Sequence, residues 1–204
     1  MKNLQPLIKR TLPYVALMLM LAQLLLMLVS WIYSAASPTS EVRSLLSEQG
    51  LRWFLSHFAQ MIGTPLLAWL LLGSMALGCL RHCGILSLPS LRRHSYRERR
   101  ALMFTLLLAL LVVGVVSLLA FVPHAVLLSA TGSLWPSPFS ASLLPLLCFS
   151  VILLSAVYGI VAGHFADLHD VYNALLDGIR WGAPLFLFYV LVIQIYDSLL
   201  YILP

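Results

Sequence analysis

Few residues in this chain are equipped for chemistry, and the sharpest is Asp197, set between LVIQIY and SLLYILP. A carboxylate among apolar neighbours is costly unless it is paired or hydrated. Two readings stay open. Asp197 lies on an ion or substrate path through a membrane, or it sits close enough to an aqueous boundary to stay wet. Gln194 stands one helical turn earlier and extends the same polar stripe. Gln23 is the one strongly polar side chain in ALMLMLAQLLLMLVS, as a path residue or as a helix–helix hydrogen-bonding group. Tyr158 lies among Ser155, Ala156 and Gly159. Gln23, Tyr158, Gln194 and Asp197 are the candidate path residues.

No catalytic arrangement accompanies them. Ser155, Tyr158 and His164 form no nucleophile–base pattern, and neither a Gly-x-Ser-x-Gly elbow, a His-Glu-x-x-His run nor a phosphate loop occurs. Cys79, His82 and Cys83 are close in sequence but lack the further ligands of a closed metal site. The expectation is a protein that is not an enzyme and that holds no metal or cofactor.

The elements that would position these residues follow from composition. Of 204 residues 61% are hydrophobic and 9% charged, with a mean hydropathy of +0.98; ordinary soluble domains have roughly 45–50% and about 25%. So few charges cannot cover a water-facing surface. The charges also cluster, leaving uncharged runs long enough for helices of about 20 apolar residues. The expected fold is all-α and polytopic. One transmembrane domain covers residues 1–204, with five spans at about 11–34, 63–80, 101–122, 141–163 and 183–202.

Two short amphipathic helices are expected at the membrane interface. The first is capped by Ser40 and carries Val42, Leu45, Leu46, Leu51, Phe54 and Leu55 on one side and Glu41, Arg43, Glu48 and Arg52 on the other. The second starts at Asp167, with Val171, Leu175 and Ile179 on one face. Gly73, Gly78, Gly159 and Gly163 are the expected packing positions, because small residues let membrane helices approach closely.

Half of the twelve Lys and Arg residues (Arg81, Arg92, Arg93, Arg97, Arg99 and Arg100) follow the second span. The positive-inside bias puts them, Lys2, Lys9, Arg10 and Arg180 in the cytoplasm. Five spans then put the C-terminus on the far side. The lipid bilayer is the expected partner; nucleic acid is not, because the basic loop is short and anchored at both ends.

Two long segments resemble the para-aminobenzoyl-glutamate transporter family (AbgT-like). In the first, Gly50, Leu51 and Arg52 lead into a span that ends near Gly78 and Gly84, with Arg81 where the family has an acidic residue. In the second, Ser137, Pro138, Phe139 and Pro145 match a span entry, and Tyr158, Gly159, Ile160, Ala162 and Gly163 its exit. Asp170 and Val171 match a surface-helix motif, Gln194 a glutamine in the following span, and YRERRALMF the lead into another span.

The resemblance implies a bacterial inner-membrane protein related to secondary transporters of aminobenzoyl-glutamate or similar aromatic anions, driven by a proton or sodium gradient. It also implies a shortened homologue, without the family's hairpin-bearing middle and C-terminal half, so no substrate residue carries over. A homo-oligomer that rebuilds a pathway between chains fits this pattern. So does a non-transporting partner, a regulatory subunit or a decayed remnant.

Overall fold

The structure, a computed structural model, describes residues 4–37, 42–85, 96–121 and 138–203. The described residues form six helices and no strand: α1 (Leu4–Ala36), α2 (Glu48–Ile62), α3 (Pro65–His82), α4 (Tyr96–Phe121), α5 (Pro138–Ala162) and α6 (Leu168–Ile202). All but α2 are long and apolar enough to cross a membrane, which gives the five expected spans. Most of their large apolar side chains are exposed, as Leu24, Leu28, Leu106, Leu110 and Phe149 illustrate. Lipid is the solvent that accepts such a surface, and a helix can enter lipid because it satisfies its backbone internally.

The chain divides into two units, Met1–Leu67 with Ala183–Pro204, and Ala68–Gly182. It passes from one to the other within α3 and again within α6.

In the first unit, α1 turns its polar residues inward. Gln23 and Ser30, two turns apart, are buried on a helix whose leucines face out. The Ser30 hydroxyl donates to the Met27 carbonyl at 2.8 Å and accepts the Leu45 N–H at 3.3 Å, tying the following loop to the helix. Ser40 lies outside the described residues, and residues 42–47 are not helical. The helix begins instead at Glu48, where the Ser47 side chain caps it by accepting the Gly50 N–H at 3.0 Å. Gly50 is pressed against the backbone of Ser44 and Leu45, leaving no room for a side chain. The packed edge of α2 is Gly50, Trp53, His57 and Met61, while Leu51, Leu55 and Phe58 stay exposed.

In the second unit, Cys79, Cys83, Ala101, Tyr158, Phe165 and Ala174 form the core, and α4 packs along α5. α4 starts at Tyr96, five residues before the expected span, because Tyr96–Arg100 continues the same helix. α5 ends where Gly163 adopts φ +85° and the N–H groups of Gly163, His164 and Phe165 converge on the Gly159 carbonyl.

Asp167 precedes α6, as expected, and Asp170 accepts the Ala166 N–H at 2.8 Å. The segment after it is no separate surface helix, however. It forms the first turns of a continuous helix of 35 residues that carries Pro184 inside it. Proline removes one N–H, so the Arg180 carbonyl loses its helical donor, but the φ of proline suits a helix and the chain continues. At 1.5 Å per residue α6 is roughly 50 Å long, well beyond the ~30 Å hydrocarbon layer. Its charged first turns therefore stand outside the hydrocarbon.

Candidate functional site

The structure sends the four candidate path residues to different surroundings. In the first unit the Gln23 amide donates to the Ser198 hydroxyl at 2.9 Å, joining α1 to α6. Ser198 is 0% exposed and Gln23 8%, and the Gln23 carbonyl oxygen is buried without a partner. Asp197 immediately precedes Ser198 on α6, yet one step of about 100° around a helix turns it elsewhere, onto a cleft. Gln194 is half-buried one turn earlier on the same helix. Tyr158 belongs to the second unit, where its side chain is 0% exposed, its hydroxyl has no partner, and its ring lies 6.4 Å from that of His164.

The cleft beside Asp197 has a volume of ≈ 510 Å³ and lies wholly within the first unit. Three segments build it. From α2 come Trp53, His57 and Gln60, at helical spacing on one side. From α6 come Asp197 and Tyr201, four residues apart and so on one face. The loop before α2 supplies Arg43, whose backbone N–H donates to the Ile202 carbonyl at 3.2 Å and so satisfies one of the last carbonyls of α6.

The wall of the cleft combines aromatic rings with polar and charged groups, among them Arg43, His57, Gln60, Thr64 and Asp197. Trp53 stacks on Tyr201 with centroids 4.2 Å apart, and on His57 at 5.4 Å. The Arg43 guanidinium lies 5.9 Å from the Tyr201 ring centroid. His57 Nδ1 sits 2.9 Å from the Ser56 hydroxyl and 3.1 Å from the Trp53 carbonyl, which fixes the ring on its own helix. At the α2–α3 junction Tyr189 donates to the Ile62 carbonyl at 2.9 Å and also meets the Thr64 hydroxyl. Among the described residues no hydrogen bond or ion pair engages the Asp197 carboxylate. The cleft thus offers a cation, an anion and stacked rings around an open volume.

The expected packing glycines also separate. A Cβ on Gly78 would stand 2.5 Å from the Gly178 Cα, so α3 and α6 cross there backbone to backbone. Gly178 escapes a sequence reading because it sits between Asp177 and Arg180 and looks like part of a polar surface. Gly159 leaves space that the Phe165 ring occupies, and Gly163 carries the Arg97 guanidinium. Around Gly73 a Cβ would meet nothing within 4 Å. The close trio is divided: Cys79 and Cys83 are buried, whereas His82 turns to Asp177 at 3.5 Å.

Comparison with known proteins accords with these findings. A sequence model of the AbgT transporter family matches residues 90–198. That range takes in the YRERRALMF segment, the α5 motifs, Gln194 and Asp197, while Gly50–Arg52, Gly78 and Gly84 lie before it. Searches against curated proteins and against solved structures found no match. With five apolar helices and more than half of its length matched by that family, the chain is a multi-pass membrane protein that belongs to the AbgT transporter family.

Proposed function

We propose that this protein carries small aromatic anions, para-aminobenzoyl-glutamate and its relatives, across the bacterial inner membrane, and that the cleft beside Asp197 receives them. The observation behind this reading is the pairing, in one cleft, of an unpartnered carboxylate on a spanning helix with Arg43 and the Trp53–Tyr201 stack. A guanidinium matches a carboxylate in two parallel hydrogen bonds. Aromatic faces hold a benzoyl ring by offset stacking. Asp197 repels a second carboxylate and attracts a proton or sodium ion, which makes it the coupling group in this reading. The positive-inside bias orients the N-terminus to the cytoplasm and opens the cleft to the periplasm.

Among the described residues, strongly polar groups within the spans are few, chiefly Gln23, Gln194, Asp197 and buried serines such as Ser155 and Ser198. A homo-oligomer would supply the rest of the path from a second copy.

Binding tests the reading before transport does. Titration of the full chain in detergent with para-aminobenzoyl-glutamate is expected to saturate, whereas glutamate alone, which lacks the ring, is expected to bind far more weakly. Arg43→Gln removes one charged hydrogen-bonding group and is expected to weaken binding roughly ten- to hundred-fold. Equal binding of glutamate and the conjugate, or unchanged affinity in folded Arg43→Gln protein, would discard the cleft as the substrate site.

A further inference from the structure

We propose that a second cleft, where α3 and α6 cross in the second unit, binds the phosphate headgroup of an anionic phospholipid. The cleft has a volume of ≈ 350 Å³, and its polar wall is Arg81, His82, Asp177 and Arg180, with Trp181 beside them. All of these belong to one unit.

Its charges are incompletely matched. Asp177 is shared: Arg180 donates to it at 2.9 Å and His82 lies 3.5 Å away. Arg81 has no carboxylate among the described residues. Its guanidinium lies 4.0 Å from the Trp181 ring centroid, held by a cation–π contact. Stacking uses the face of the guanidinium and leaves the N–H edge to donate, which is the geometry that grips a phosphate. Two guanidinium groups, Arg81 and Arg180, face the one carboxylate of Asp177, so a bound monoanion closes the balance.

The depth of the cleft favours a lipid over a soluble anion. Arg81 and His82 form the last turn of the α3 span. Arg180 is the last charge before the uncharged run from Trp181 to Tyr196. Both helices therefore place these groups at the boundary between headgroups and hydrocarbon. Trp is enriched at that level, and basic pockets between spanning helices hold anionic headgroups. The Gly78–Gly178 contact brings the two backbones together beneath the charges. Leu77 and Trp181 expose apolar surface where an acyl chain would lie. This proposal does not depend on what the protein transports.

Delipidated full-length protein in neutral detergent tests it, with lipid binding read by native mass spectrometry and thermal unfolding. Phosphatidylglycerol is expected to bind and stabilise; phosphatidylcholine is not. Arg81→Gln is expected to lower phosphatidylglycerol binding about fivefold. Asp177→Asn is expected to raise it, because it removes a repelling carboxylate; a purely structural role would not give opposite signs. Circular dichroism checks that both variants remain helical. Three results would overturn the proposal: equal binding of the two lipids, no loss in folded Arg81→Gln protein, or inorganic phosphate stabilising the protein where phosphatidylglycerol does not.

Discussion

Gln23 and Ser198 show how a single polar pair acts inside a membrane. Lipid offers no hydrogen bonds, so the amide and hydroxyl are better joined across α1 and α6 than left apart, though such pairs contribute only ~0.6 kcal/mol on average and up to ~1.7. Ser198→Ala strands the whole Gln23 amide and is expected to destabilise by about 1–2 kcal/mol. Combining it with Gln23→Leu is expected to recover most of that loss, because no buried polar group remains. Equilibrium unfolding in mixed micelles measures both; a double variant weaker than the single would contradict this account of the pair. Gln23 was legible as a polar residue in an apolar helix. Ser198 was not, since a serine next to an aspartate draws no notice until the helix angle separates them.

At the scale of elements, charge spacing located all five spans, because uncharged runs of that length have few alternatives. It did not locate the helix ends. α2 is capped by Ser47 rather than by Ser40 because Ser47 lies three residues before Gly50, whose N–H it accepts, and because that glycine sits flush against the preceding loop. α6 runs through Gly182 and Pro184, since spanning helices tolerate both residues when neighbouring groups satisfy the backbone. The α3–α6 crossing gives the clearest test. Gly178→Val drives a branched side chain into the Ser74 carbonyl and the Gly78 backbone, and is expected to destabilise by more than ~2 kcal/mol or to prevent folding. Gly73→Ala points a methyl group into open space and is expected to leave stability within about 1 kcal/mol. Thermal unfolding of the two variants side by side decides the matter, and equal losses would contradict the crossing.

At the scale of the whole molecule, five spans require the loops around Ser90 and Ser133, both outside the described residues, to lie on opposite sides of the membrane. In a background with Cys79, Cys83 and Cys148 replaced, Ser90→Cys is expected to react with an impermeant thiol reagent only after the cells are opened, and Ser133→Cys in intact cells. Labelling of both from the same side would contradict the topology. Composition alone made the membrane legible, and ordered motifs made the family legible. The cleft beside Asp197 was only half legible. Asp197 announced itself as a charge in an apolar run, whereas Trp53 and His57 were only part of an amphipathic stretch. Their meeting with Arg43 and Tyr201 joins residues more than 140 positions apart along the chain, and no local pattern encodes that.

The central claim is that the cleft beside Asp197 serves coupled transport, and flux through the purified protein tests it most directly. Uptake of radiolabelled para-aminobenzoyl-glutamate into proteoliposomes, under an imposed proton or sodium gradient, is expected to exceed that into empty liposomes. Asp197→Asn is expected to abolish the response to the gradient while the protein stays folded. Uptake no greater than in empty liposomes by folded, inserted protein, or gradient-driven uptake that survives Asp197→Asn unchanged, would contradict the account.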